Sequence, residues 1–163
     1  MTAYDVSEWS DLFVASAGAT AALAGLVFVA ASINIERILE FEGVPDFAMV
    51  TLLMLLGALM VSLLGLIPGQ SIEAFGWELI GGGIVWGSLA GTRLYASVPR
   101  AGADRYLFSR VALPLAGTLP LVLGAISMIA GSGGGLYWIV AGIITTVFAA
   151  VVNAWILLVE ILR

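Results

Sequence analysis

Residues 77–93 read WELIGGGIVWGSLAGTR. Gly83, Gly87 and Gly91 recur there at intervals of four, which on a helix puts three missing side chains along one face and opens a groove for another backbone. A glycine costs roughly 1 kcal/mol against alanine in a helix interior, so three in register mark a packing face. Arg93 follows about two turns before Pro99, the expected end of the helix. A small-residue face and a charge on the bundle side of one apolar helix make this the pivot of a membrane bundle.

The composition agrees with that reading. Of 163 residues, 61% are hydrophobic and 10% charged, with a mean hydropathy of +1.12, far from the usual soluble domain. The chain reads as one transmembrane domain, residues 1–163, with no room for a separate soluble unit. Outward from the pivot, charge-free or nearly charge-free runs cover residues 12–33, 47–67, 77–98, 107–130 and 136–162, each long enough for a hydrocarbon layer of about 30 Å. An all-α bundle of five transmembrane helices is therefore expected.

The segments differ in character. Thirteen of the 22 residues from Leu12 to Ile33 are Gly, Ala, Ser or Thr, so the first is a slim helix suited to the bundle interior. Gly18 and Gly25 keep to one of its faces with Ser32. The pattern Ile35, Ile38, Leu39 extends it a turn or two along the interface. The second segment, rich in Leu and Met, reads as lipid-facing. Pro114 and Pro120 predict a kinked fourth segment. GSGGG at 131–135 makes a turn, and Tyr137 and Trp138 after it are interface anchors. In the fifth segment Thr146, Asn153 and Glu160 lie seven apart and form one polar stripe.

Alternation through five spans puts Arg37, Arg93, Arg100, Arg105, Arg110 and Arg163 on one side and no basic residue on the other. The positive-inside rule then sets the N-terminus out and the C-terminus in. The acidic opening MTAYDVSEWSD is unlike the start of a signal peptide.

Three stretches resemble a known group. TAALAGLVFVAASINIERIL (20–39), LIPGQS (66–71) and GLYWIVAGIITTVFAAVVNAWILLVEILR (135–163) are similar to a family of small bacterial five-span membrane proteins, some labelled modulators of the membrane protease FtsH. The resemblance implies a multi-pass protein of the bacterial inner (cytoplasmic) membrane. It brings no catalytic or binding residues.

Chemistry is scarce in this alphabet. Histidine, lysine and cysteine are absent and all six basic residues are arginine, which removes the usual general bases, thiol chemistry and the commonest metal ligands. The eleven acids lie in connections or at span ends, and GSGGG lacks the lysine of a phosphate loop. No catalysis, cofactor or metal is expected, and a net charge of −5 without a basic run excludes nucleic acid as partner. The expected partners are the lipid bilayer and either copies of the chain or a larger membrane complex.

A polar pathway or vestibule is expected in the inner half of the bilayer from Ser32, Asn34, Glu36, Thr92, Arg93, Arg110, Asn153 and Glu160. Within it Arg93 either snorkels to the interface, pairs with Glu36 or Glu160, or faces an anion. Asn153 either bonds a neighbouring helix or lines the path. Gly18, Gly25, Gly83, Gly87 and Gly91 are the expected helix-packing positions. These features point to an ion or small-solute pore made by self-association, with an accessory or regulatory subunit of a larger membrane assembly as the alternative. For topology, a reporter fused after Arg163 is expected in the cytoplasm and one placed before Tyr4 outside it. Both on one side would refute the count of five.

Overall fold

The computed structural model describes residues 3–41, 43–96 and 107–162, and these are helical almost throughout. A short 3-10 turn, Val6–Trp9, leads into α1, Ser10–Ile33. Then follow α2, Ile35–Glu40, α3, Val44–Leu64, α4, Ile72–Ala96, α5, Leu107–Ala130, and α6, Leu136–Leu162. Each break has a local cause. Asp5 caps the opening turn through the Ser7 amide at 3.1 Å. Gly43 takes a left-handed φ of 80° before Pro45 starts α3. Gly69 does the same at φ 70° before Ser71, whose Oγ accepts the Ala74 amide at 3.2 Å and caps α4.

The long helices run alternately up and down. α3, α4, α5 and α6 each pack on the next, and α6 closes back on α3 to make a ring of four. α1 lies outside the ring on α3 and barely touches α6. The buried side chains form three clusters along the axis. Trp9, Phe13, Phe75, Met128 and Leu136 fill the end that holds the N-terminus. Val50, Met54, Leu55, Ala149 and Ala150 form the middle, and Ile38, Phe47 and Leu157 the far end.

Four helices, within Val6–Ile33, Val44–Leu64, Ala112–Ala130 and Leu136–Leu157, are long and apolar enough to cross a membrane. α4 is 25 residues long and lies in the same bundle, but its glycines, Glu78 and Arg93 keep it outside that set.

Two expectations about position are reversed. The Leu/Met-rich second segment is the hub of the bundle and not its lipid-facing side. Of the most apolar 18 residues, 50% are buried in α3 against 17% in α1, so the slim first segment is the peripheral helix. The reason is that Leu and Met pack helices together as readily as they meet lipid, and hydropathy does not distinguish the two. The boundaries shift as well: α3 and α4 begin a few residues before the expected spans, and the interfacial extension is a separate helix, α2, set off at Asn34.

The glycines divide cleanly. A Cβ built on Gly57 would stand 2.9 Å from Trp86 Nε1, one on Gly76 3.1 Å from the Ala125 carbonyl, and one on Gly117 2.5 Å from Thr146 Oγ1. Gly124 would meet Ile139 and Gly142 would meet Leu121. These are the close approaches of the ring, where a missing side chain lets backbones draw together. A Cβ built on Gly18, Gly25, Gly83, Gly87 or Gly91 would meet nothing within 4 Å among the described residues. At those five positions no other described element fills the space of the missing side chain. Gly117→Leu or Gly142→Leu should accordingly destabilise the fold by about 1–3 kcal/mol through overpacking. Gly87→Leu should leave the melting temperature of the single chain unchanged, as measured by circular dichroism in detergent.

Candidate functional site

Among the described residues, the expected inner polar group does not come together in one site. Ser32 is exposed and its hydroxyl donates to the Phe28 carbonyl at 2.8 Å. Asn34 Nδ2 donates to the Ala30 carbonyl at 2.9 Å, and Thr92 Oγ1 to the Leu89 carbonyl at 2.8 Å. Each satisfies its polar group within its own helix, as Ser and Thr do in apolar surroundings. Glu36 is exposed. The side chains of Arg110 and Glu160 lie outside the described residues, as do Arg100 and Arg105.

Arg93 is paired, with a residue that sequence reasoning passed over. Its Nη1 donates to Asp46 Oδ1 at 3.3 Å. Arg93 closes α4 and Asp46 opens α3, so the contact joins the ends of neighbouring antiparallel helices. Each charge also lies at the end of its own helix where the macrodipole favours it. The available signal was an acid in the first turn of a segment that alternation sets beside the end of the Arg93 segment. With side chains 55% and 27% exposed, this is a surface pair and not a buried charge.

Asn153 is the one described member that is fully enclosed. It is 0% exposed, packed from α6 toward α3, with Nδ2 on Met54 Sδ at 3.6 Å and, among the described residues, no partner for Oδ1. Thr146, one heptad earlier, is also buried, against Gly117, so the first two positions of the α6 stripe do face the bundle.

At the opposite end the N-terminal segment is bonded to the α5–α6 turn. The Leu136 amide donates to the Ala3 carbonyl at 2.9 Å, the Gly134 amide to Tyr4 Oη at 3.0 Å and the Gly135 amide to Ser127 Oγ at 2.8 Å. Trp138 Nε1 donates to the Gly133 carbonyl at 2.8 Å, and Trp9 meets Tyr137 edge-on with centroids 5.0 Å apart. Gly131, Gly133, Gly134 and Gly135 all take positive φ, which frees their amides to turn inward. The Ser7 hydroxyl and amide hold the Asp5 carboxyl below its ordinary pKa. This end carries Asp5, Glu8, Asp11, Glu73 and Glu78 and, among the described residues, no arginine.

Two surface features remain. A groove of about 450 Å³ runs between α1 and α6, lined by Ala19, Thr20, Ile143, Val147 and Val151 among others. The Thr20 hydroxyl donates to the Ser16 carbonyl at 2.7 Å, so the groove walls are apolar. On α4, residues 81–85, 87–89 and 91–93 are all exposed, and the open glycines lie among them. Inward, α4 is held by Trp86, whose Nε1 donates to the Leu53 carbonyl at 2.6 Å. No group of three His, Cys, Asp or Glu residues suited to a metal occurs among the described residues.

The class that fold and surface define is an α-helical bundle of membrane-protein character. No protein-family model, curated protein or solved structure matches the chain.

The Arg93–Asp46 pair has a measurable weight. Exposed pairs contribute about 0.2–1 kcal/mol, so Arg93→Gln and Asp46→Asn should each lower stability by less than about 1 kcal/mol. The double variant should be no worse than either single one, because both remove the same contact. Unfolding midpoints of the three variants check this.

Proposed function

We propose that this chain is a non-enzymatic, multi-pass helical subunit that works in the membrane by associating with further copies of itself through α4. The observation that carries the reading is the outward face of α4. Gly83, Gly87 and Gly91 are open there, while Gly57, Gly76, Gly117, Gly124 and Gly142 are all filled by neighbouring helices. Where glycine serves packing in this bundle it is covered, and the α4 ladder offers the same surface uncovered. Lipid is a poor cover for it, because a glycine face exposes backbone and contributes little apolar area. In this reading α4 is the fifth span, with the N-terminus outside and the C-terminus in the cytoplasm of a bacterial cell. The distribution of described acids and arginines between the two ends supports that orientation. The resemblance to small five-span bacterial membrane proteins fits the same picture.

A pore between copies is the second reading. It is favoured by Ser88 and Thr92, exposed hydroxyls on α4 that, among the described residues, bond Val85 and Leu89 of their own helix. A ring that turned this face inward would line a path with small polar groups and set Arg93 near its mouth. Arg93 offsets the Asp46 carboxylate there, so loss of its charge would favour cations.

In mild detergent, native mass measurement should find the wild-type chain as an oligomer. Gly87→Leu should weaken association about tenfold or more while helicity and melting of the single chain persist. A wild-type chain that is monomeric at every concentration, or one that co-purifies with a different protein in fixed ratio, refutes self-association and returns the accessory-subunit reading. Reconstituted bilayers separate the pore: Arg93→Gln should move the reversal potential toward cations, and no conductance from the oligomer removes it.

A further inference from the structure

Asn153 Oδ1 sits in apolar surroundings and has no hydrogen-bond donor among the described residues. Beside it on α6 are Ala149 and Ala150, and the cluster around these includes Val50, Met54 and Leu55 of α3 and Ala24 of α1. An unsatisfied buried carbonyl is destabilising, and the same amide already uses Nδ2 on Met54.

A second acceptor lies at the same height. Pro114 is inside α5 and has no N–H, so the main-chain carbonyl of Arg110, four residues earlier, lacks its helical donor. α5 and α6 run antiparallel in a register that sets Gly124 against Ile139 and Gly117 against Thr146. Carried one heptad further, that register puts Arg110 opposite Asn153. Leu113 of α5 packs on the cluster beside Asn153, so α5 reaches it at that level.

An amide oxygen without a described donor and a carbonyl without its helical amide call for a molecule with two donors. We propose that a single water molecule is bound inside the bundle between Asn153 Oδ1 and the Arg110 main-chain carbonyl, donating one hydrogen bond to each. Ordered water is a recognised way to satisfy a carbonyl freed by proline within a membrane helix. A water held in a protein core takes two to four polar partners, and this position supplies two. A metal ion does not fit the surroundings. Calcium takes six to eight oxygen ligands, and the cluster around the amide is alanine, valine, leucine and methionine.

The water links two positions in different helices, and that link is testable. Asn153→Leu removes one acceptor and displaces the water, which strands the Arg110 carbonyl, so the ratio of folded to unfolded protein should fall about tenfold. Pro114→Ala restores the amide that this carbonyl lacks. In the Pro114→Ala background, Asn153→Leu should therefore cost markedly less, as read from unfolding midpoints in detergent. Equal cost in both backgrounds, or a rise in midpoint with Asn153→Leu alone, overturns the proposal. A measurement on the unmodified protein stands whether or not the variants fold. With ¹⁵N label, the Asn153 side-chain amide protons should show a cross-peak to water with the sign of a long-lived bound molecule. Absence of that cross-peak in the folded protein also overturns the proposal.

Discussion

The fold depends on how this chain handles polar groups where no water is at hand. Thr20, Thr51 and Ser62 are buried, and each hydroxyl donates to a carbonyl one turn back in its own helix. That habit lets α3 be enclosed by α1, α4 and α6 without needing a polar partner from any of them. Contacts between helices are left to shape. Glycines at 57, 117, 124 and 142 accept Trp86, Thr146, Ile139 and Leu121. The exceptions on α3 are the Trp86 indole, reaching across to a main-chain carbonyl, Asn153 on Met54 and Arg93 on Asp46. The same habit works against a polar path through a single chain, because hydroxyls bonded to their own helices have little to offer a passing solute.

What could be read from the sequence follows the same line. The all-helical, membrane-type character was legible, because length and charge-free runs report directly on the medium, although among the described residues only four of the five expected spans are apolar enough to cross a membrane. Which helix is central was not. An amphipathic stripe gives that away in a soluble protein, but here both faces of α1 and α3 are apolar. The glycine test pointed to Gly83, Gly87 and Gly91, where spacing is most regular. Gly117 and Gly124, a heptad apart on α5 and facing α6, carry the packing inside the chain. Regular spacing shows that a helix has a flat face, and says nothing about which neighbour uses it.

The polar candidates divide on similar grounds. Arg93 stood out as the charge closest to an apolar run, yet its partner Asp46 was hidden by distance in sequence, 47 residues away. Asn153 reads in the sequence as one position of the α6 polar stripe, and it is buried in the bundle. Its lack of a donor became visible only with the neighbouring helices in place, since a sequence lists donors and acceptors but does not count which of them meet.

The bonds from Ala3 and Tyr4 to the α5–α6 turn also order events in time. Tyr4 and Gly134 are 130 residues apart. At a synthesis rate of 5–20 residues per second, the second partner follows the first by on the order of 10 s. Until the α5–α6 turn is made, Ala3 and Tyr4 cannot form these bonds, so this end of the bundle is completed only when almost the whole chain exists.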